Sequence, residues 1–311
     1  MNYTDISTKP KQFLSLTSLE VEEFEMLLQS FQPRWERYYR SHTLDGKHRV
    51  HLAKKEHGNA VLRGTPQKLF FLLVYLKTNS LQEHQAASFG VSQAKVSCIA
   101  RNLLAILDQT LKDMGLSPSR DGENLHKQLA GHKDKVFSYD GTDRGIERNS
   151  DRDAQEKDYS GKNHGHKVKN LQLCDDSQYV HYLSPTFTGS SHDKAIANEF
   201  PISLPLASVL RQDAGFIGHV VQGVTIEQPF KKPRKGELTF SQKLFNKMLA
   251  ATRVVVEHAN SGIKRLRMVK ETIRIHKTEF RDLVMAVACA LHNFRVISPS
   301  RNYSSHAHAP V

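Results

Sequence analysis

The clearest pattern along this 311-residue chain is a set of apolar positions at helical spacing in its first third. Residues 69–76 are almost wholly apolar and follow Thr65 and Pro66, and proline is favoured in the first turn of a helix. Shorter helical patterns lie on either side of Gly90. The spacing therefore predicts three helices over residues 65–108, the last two joined by a tight turn.

The third of these helices has one apolar and one polar face. Gln93, Ser97 and Arg101 recur at every fourth position on the polar face. In a helix-turn-helix the second helix of the pair enters the major groove of DNA, so these three side chains are candidates for contacts with bases. A packing unit with a solvated polar face would give the same pattern, and the sequence leaves both interpretations open.

The segments on either side of this unit are more polar. Residues 17–31 predict an amphipathic helix that begins at a capping box of Thr17 and Glu20. Residues 32–62 are polar and basic, which predicts an irregular arm, and the polar residues 113–133 predict a linker.

Strand patterns alternate with helical ones in the rest of the chain. Strands are predicted at Val136–Tyr139, Lys167–Leu173, Tyr179–Phe187, Ser208–Gln212 and Val220–Gln228. The step Asp175-Asp176 predicts a turn. Helices are predicted at about 192–200, 241–260 and 280–295. This order predicts an α/β (α+β) fold: a ribonuclease-H-like mixed sheet flanked by helices, preceded by an all-α helix-turn-helix domain.

These patterns divide the chain into five parts. We expect an N-terminal helix and basic arm at 1–64, the helix-turn-helix domain at 65–112, the linker at 113–133, the sheet domain at 134–296 and a polar tail at 297–311. A chain of this length has room for one large core or two modest ones.

The charge balance favours an anionic partner. The chain has 44 Lys and Arg against 32 Asp and Glu, a net charge of +12, and residues 227–275 alone hold 12 basic and 4 acidic residues. Such a concentration attracts the phosphates of nucleic acid, although a solvated basic face would have the same composition. Within it, the loop residues predicted to contact DNA are Lys231, Lys232, Arg234 and Lys235.

Cysteine usage and hydropathy indicate a cytoplasmic protein. Cys98, Cys174 and Cys289 are scattered and form no CxxC pair, which is typical of free thiols in a reducing compartment. The N-terminus lacks the apolar stretch of a signal peptide, and the longest apolar runs are too short to cross a bilayer. We therefore expect no membrane association.

Three carboxylates lie at positions suited to a metal site. Asp140 and Asp213 each end an apolar run predicted as a strand, and Glu257 lies in a long helical pattern. Carboxylate oxygens are the ligands that Mg²⁺ prefers, and two such ions can hold the attacking and leaving oxygens of a phosphate displacement. One aspartate at a strand end is usually a turn former, but the three together predict a site for two Mg²⁺ or Mn²⁺ ions.

Four motifs in order resemble those of bacterial insertion-sequence transposases of the DDE superfamily, close to the Harbinger-like group. Asp140-Gly141-Thr142 resembles the "DGT" of that family, and residues 189–193 resemble its "GS-x-HD". Residues 213–218 resemble "DxGYxG", with Phe216 in place of tyrosine. Residues 253–264 resemble "RxxVExxxxxxK", and residues 291–295 resemble the closing helix of the family.

The resemblance implies an enzyme that cleaves DNA at the ends of an element and joins the 3′-hydroxyls to target DNA. It implies double-stranded DNA as partner, a homo-oligomer on that DNA, and a nucleoid-associated location. Asp140, Asp213 and Glu257 would be the catalytic metal ligands, and Asp193 is the alternative second aspartate or an auxiliary ligand. Arg253 and Lys264, on the predicted helix of Glu257, would contact phosphate or orient that glutamate.

Two further interpretations stay open at the level of sequence. A domesticated transposase that only binds DNA as a regulator would keep the helix-turn-helix, but would be expected to lose an acidic motif residue. A hydrolytic nuclease would share the same core without the joining step. The extra carboxylate of Asp143, where the family commonly has histidine or glutamate, has no assigned role.

Overall fold

A computed structural model of the protein describes residues 1–132, 135–162 and 164–299. The helices in these ranges are α1 (Tyr3–Ser7), α2 (Pro10–Thr17), α3 (Val21–Ser41), α4 (Thr65–Thr78), α5 (Gln82–Phe89), α6 (Gln93–Asp113), α7 (Leu125–Gln128), α8 (Arg152–Asp158), α9 (Asp193–Glu199), α10 (Phe240–Thr252), α11 (Val254–Ile263), α12 (Arg267–Lys270) and α13 (Thr278–Ile297). The strands are β1 (Val136–Gly145), β2 (Tyr159–Ser160), β3 (Gly165–Asp175), β4 (Val180–Leu183), β5 (Phe187–Thr188), β6 (Val209–Gln212) and β7 (Thr225–Glu227).

Two predicted features fall partly outside these ranges. The boundary between residues 133 and 134 is not among the described residues, and neither is the predicted tail from residue 300 onward. In the part of the chain that is described, no helix combines the length and apolar character needed to cross a membrane.

The chain forms two compact units. Met1–Ser117, Lys264–Glu271 and the described residues from Lys277 onward make up a helical unit, and Pro118–Ile263 with Thr272–His276 make up a sheet unit. Helix α13 packs against α6 in the helical unit, whereas the sequence pattern grouped it with the sheet.

The predicted helix-turn-helix is present in the helical unit. Helix α4 begins at Thr65 with proline in its first turn, and α5 ends at Gly90, whose φ of 66° is the left-handed conformation that glycine adopts readily. Helix α6 buries the predicted apolar face, which consists of Val96, Ile99, Ala100, Leu103 and Leu107. The burial of that face leaves its polar face toward solvent.

The N-terminal predictions were wrong in two respects. The capping box is formed by Glu20 and Glu23, and not by Thr17, which ends α2. The irregular arm predicted from residue 32 is helical as far as Ser41, because α3 continues through Pro33. Trp35 is buried beyond that proline, so the packed apolar face extends the helix where local propensity favoured a break.

The sheet has the mixed topology that the sequence predicted. The strand order is β2-β3-β1-β6-β7, with β4 and β5 also paired to β3. Strand β1 pairs antiparallel to β3 and parallel to β6, and β6 pairs parallel to β7. The core beneath it is formed by Leu125, Leu129, Phe137, Tyr139, Leu171, Leu173, Tyr182, Ile196, Ala197, Ile202, Leu204, Leu210 and Phe216. The fold is therefore a mixed α/β sheet flanked by helices.

Three segments of the sheet unit differ from their predictions. Residues 125–129, expected in a linker, place Leu125 and Leu129 in the core. Strand β1 extends to Gly145, well past its predicted end, because β3 supplies an antiparallel partner along its whole length. The long helix predicted over 241–260 is broken at Arg253 into α10 and α11.

Candidate active site

Asp140 and Asp213 lie side by side where a parallel ladder ends. The last paired residues of β1 and β6 are Tyr139 and Gln212, so the two aspartates directly follow them on neighbouring strands. Strand β1 itself continues beyond Asp140 because β3 pairs with it on the other side. The prediction that Asp140 ends its strand was therefore wrong, although the parallel pairing does end there.

The Asp140 carboxylate faces α11. Its Oδ2 accepts a hydrogen bond of 3.1 Å from Asn260 Nδ2, and its Oδ1 lies 3.7 Å from the Arg253 guanidinium. Gln172, the cross-strand partner of Asp140 on β3, donates a 2.7 Å hydrogen bond from Nε2 to Asn260 Oδ1. Gln172 thus fixes the amide of Asn260, which in turn fixes the Asp140 carboxylate.

Glu257 lies on the same side of α11 as the two residues that contact Asp140. It follows Arg253 by four residues and precedes Asn260 by three, and such spacings share a helix face. Its side chain is exposed. In the described part of the chain, the carboxylate oxygens of Asp140, Asp213 and Glu257 do not all lie within 4.8 Å of one another. The helix brings the glutamate to this face without closing a ligand cage.

Asp213 caps the 3₁₀ turn Ala214–Phe216. Its Oδ1 accepts a 2.7 Å hydrogen bond from the Gly215 amide. The turn is anchored by Phe216, which is fully buried and packs 5.2 Å from the ring of Tyr139. A tyrosine hydroxyl at position 216 would enter the core, and the phenylalanine avoids that cost.

Asp193 approaches the same region from the other face of the sheet. Its carboxylate lies over Gly141 and Gly215, since a Cβ added to either glycine would meet an Asp193 oxygen at 2.6 or 2.7 Å. Lys169 Nζ lies 2.9 Å from Asp193 Oδ1 and 3.8 Å from Asp143 Oδ1. Asp143 is therefore an ion-pair partner on the Asp193 side.

The alternation of side chains along β1 separates these two environments. Asp140 and its partner Gln172 are on the α11 face, as their shared contact with Asn260 shows. Asp143 pairs in register with Lys169, three positions further along and on the opposite face. Asp140 and Asp193 thus lie near each other but on different sides of the sheet.

Negative charge in this site is only partly balanced. Burial raises the pKa of Asp140 to about 6, the nearby Arg253 guanidinium opposes that rise, and the charges of Asp213 and Asp193 add to it. An all-oxygen group of carboxylates with excess negative charge is the environment that a hard divalent cation prefers. The residues present therefore fit such an ion, with Asp140 and Asp213 as the adjacent pair.

The candidate DNA contacts lie on exposed surfaces. Gln93 and Arg101 are exposed on α6 and Ser97 is partly exposed, and Gln93 Nε2 donates to Gln82 Oε1 at 2.9 Å. The basic residues of the loop 231–235 are all exposed, and Lys232 forms an ion pair with Glu237. These positions are accessible to a partner.

Lys264 is not on the helix of Glu257. Helix α11 ends at Ile263, and Lys264 lies in the turn that follows. The prediction that Lys264 shares a helix face with Glu257 was therefore wrong, because the helical pattern does not continue through residue 264. Arg253 also lies outside α11, at its junction with α10, and its carbonyl accepts a 3.4 Å hydrogen bond from the Glu257 amide.

Sequence patterns missed Asn260 and Lys169, which contact the aspartates, and Gln172, which donates a hydrogen bond to Asn260. Asn260 lies one turn after Glu257, so helical spacing could have identified it, whereas Gln172 and Lys169 depend on the register between β1 and β3. That register is a long-range property which single-strand periodicity does not contain.

Two family models match this chain. Residues 139–293 match the model described as DDE superfamily endonuclease, and residues 62–113 match the helix-turn-helix of DDE superfamily endonuclease. No curated protein and no solved structure matches the chain. The first match covers the site around Asp140, and the second covers α6 with Gln93 and Arg101. The DDE superfamily of endonucleases uses divalent metal ions.

The raised pKa of Asp140 predicts a pH-dependent stability cost. The pKa is about 6 in the folded protein against an ordinary value of 3.8, so the ionised carboxylate destabilises the fold above about pH 6 and has no effect below about pH 4. Without metal, Asp140→Asn should be more stable than the natural protein near pH 8, by about 1–3 kcal/mol, and equal to it near pH 4. Urea unfolding in EDTA measures both values.

The matched control for this prediction is Asp176→Asn. Asp176 forms an ion pair with Arg211 near the surface, so its replacement should not stabilise the protein at either pH. An Asp140→Asn protein less stable than the natural one near pH 8 would show that Arg253 and Asn260 fully compensate the buried charge.

Proposed function

The chain belongs to the DDE superfamily of endonucleases, and on that premise we propose that it is the DNA transposase of an insertion sequence. It binds terminal inverted repeats, cleaves DNA strands at the element's ends and joins the 3′-hydroxyls to target DNA. The observation that carries this proposal is the adjacency of Asp140 and Asp213, which directly follow the last paired residues of the β1–β6 ladder, together with the contact between Asp140 and α11, the helix of Glu257.

Asp140 has the central role in the proposed chemistry. It lies between Asp213 and the helix of Glu257, so it is suited to be the shared ligand, with Asp213 and Glu257 each completing one site. Mg²⁺ or Mn²⁺ held by these carboxylates would supply Lewis-acid activation of the attacking water or 3′-hydroxyl and stabilisation of the leaving oxygen. Asn260 and Gln172 orient Asp140 from the helix and the sheet.

Arg253 balances the charge of Asp140 before metal binds. Its guanidinium lies 3.7 Å from Asp140 Oδ1, a separation that leaves the ion pair loose. With the carboxylates neutralised by a cation, the guanidinium would be free to bind a phosphate, for which its planar donors are well suited. We therefore assign Arg253 to the scissile strand.

Two features support Asp213 over Asp193 as the second catalytic aspartate. Asp193 is on the opposite sheet face from the contact between Asp140 and Asn260, and Lys169 at 2.9 Å already balances its charge. Within the described part of the chain, Asp213 forms no ion pair. Asp193 then acts as a support that packs over Gly141 of β1 and Gly215 of the 3₁₀ turn, or as an auxiliary ligand.

DNA binding is proposed to divide between two surfaces. Gln93, Ser97 and Arg101 on α6 read base edges in the terminal repeats, as a recognition helix does. The basic loop at 231–235 holds the phosphate backbone and adds affinity that does not depend on sequence. Because two element ends must be joined in one event, we expect the active form to be a homo-oligomer on DNA.

Replacing the two candidate aspartates separately tests the catalytic assignment. Asp213→Asn should lower Mg²⁺-dependent cleavage of a terminal-repeat duplex by about 10³-fold or more, because it removes a ligand charge. Asp193→Asn should lower it by about 10–100-fold, as loss of a supporting residue does. The measurement is single-turnover cleavage of a labelled duplex, with binding checked by gel shift.

The same assay distinguishes the rival functions. Joined products should accumulate with target DNA; cleavage without joining would identify a hydrolytic nuclease, and specific binding without cleavage would identify a regulator. A larger loss in Asp193→Asn than in Asp213→Asn would move the catalytic group to Asp140, Asp193 and Glu257.

Base reading by α6 is testable by comparing two sets of replacements. Gln93→Ala with Arg101→Ala should reduce the preference for terminal-repeat over random DNA by about 1–3 kcal/mol for each lost base contact. Replacing the lysines and arginine of the 231–235 loop by alanine should weaken both DNAs alike and flatten the salt dependence of binding. Titrations at two salt concentrations measure both effects. If the α6 variant retains the full preference, end recognition lies elsewhere in the chain.

A further inference from the structure

Two histidines and an aspartate converge at the N-terminal end of β1. His132 precedes the strand, Asp175 ends β3 and His181 lies on β4. One ligand atom from each lies within 4.8 Å of the other two. The His181 Nε2 atom is 2.7 Å from Asp175 Oδ2, and the His132 Nε2 atom is 3.2 Å from the same oxygen.

The Asp175 carboxylate is fixed by its own turn. Its Oδ1 accepts hydrogen bonds from Ser177 N, Ser177 Oγ and Tyr179 N at 2.9, 2.6 and 3.0 Å. The side chain is only 3% exposed. The turn therefore satisfies one oxygen and aims the other at both imidazoles, an arrangement more specific than the simple turn that the sequence predicted.

We propose that His132, Asp175 and His181 bind a transition-metal ion of the Zn²⁺ class. Zinc accepts imidazole nitrogen and carboxylate oxygen at about 2.0–2.2 Å, which separates neighbouring ligand atoms of a tetrahedral site by about 3.3 Å. The 3.2 Å distance from His132 Nε2 to Asp175 Oδ2 matches that separation, and the 2.7 Å distance from His181 Nε2 is a hydrogen bond that the bound ion would replace. His132 is 27% exposed, so water can complete the coordination from that side.

The ligand types distinguish this site from the candidate active site. Imidazole suits zinc, copper, iron and nickel, whereas Mg²⁺ takes oxygen ligands. Along the ladder of β1 and β3, Asp175 pairs with Phe137 and Gln172 pairs with Asp140, a separation of three residues or about 10 Å. The two sites thus lie at different levels of the sheet and select different ions.

A metal at this site has a structural role. It ties the chain entering β1 to the connection between β3 and β4, and β1 presents Asp140 a few residues later. The ion binds the folded arrangement and not the separated ligands, so its binding stabilises the sheet unit.

Cobalt titration of the full chain, prepared without a histidine tag and stripped with a chelator, tests the proposal. With excess Mg²⁺ present to occupy the carboxylate site, Co²⁺ should give intense visible absorption that saturates at one ion per chain and is abolished by Zn²⁺. Zn²⁺ should raise the melting temperature by roughly 5 °C, and added Mg²⁺ should not reproduce that shift. Absence of a saturable band in the natural protein overturns the proposal, whatever the variants do.

The variants locate the ion. His181→Gln and His132→Gln should each weaken Co²⁺ binding at least tenfold, whereas the exposed His126→Gln, a control on α7 whose imidazole bonds to Ser203, should bind as the natural protein does. A tail variant lacking His306 and His308 should also bind normally. Equal loss in the controls, or full binding in both ligand variants, would show that the ion sits elsewhere.

Discussion

The parallel pairing of β1 with β6 is the constraint on which the candidate site depends. It ends at Tyr139 and Gln212, and for that reason alone Asp140 and Asp213 emerge next to each other. The pairing is stabilised from below by Phe216, which is fully buried against Tyr139. On its other edge β1 pairs with β3, whose Gln172 donates a hydrogen bond to Asn260, and Asn260 donates one to Asp140. A shift of one residue in this register would turn Asp140 away from α11.

The same arrangement concentrates charge that the fold must tolerate. Arg253 lies near Asp140 on one face of the sheet, and Lys169 balances Asp193 on the other. The pKa of Asp140 is nevertheless raised to about 6, so the compensation is incomplete. An uncompensated carboxylate group is unfavourable for stability but favourable for binding a divalent cation, as expected where function sets the local chemistry.

Local chemistry predicted much of this structure, and long-range packing decided the rest. The turn at Gly90, the apolar face of α6 and the strand before Asp213 follow from spacing and from turn residues, and the structure contains them. The motif at Asp140 and the glutamate of α11 could be located in the same way. The continuation of α3 through Pro33 could not, because burial of Trp35 beyond the proline extends that helix. The break at Arg253 has no signal in the local sequence.

The contacts around Asp140 show the same limit. Asn260, Lys169 and Gln172 carry no motif, and their roles arise from the register of β1 with β3 and from the seating of α11. Sequence also left Asp193 and Asp213 as alternatives, since either one can follow Asp140 in a metal site. The structure adds that Asp193 forms an ion pair with Lys169 on the sheet face opposite the contact between Asp140 and Asn260, and our proposal of Asp213 rests on that difference.

The most direct test of this account is the anomalous scattering of Mn²⁺ in crystals of the protein bound to a terminal-repeat duplex. The account predicts manganese peaks on the α11 side of the sheet, with Asp140 shared and with Asp213 and Glu257 as the other protein ligands. Manganese held by Asp140 and Asp193 without Asp213, or no manganese at Asp140, would contradict it.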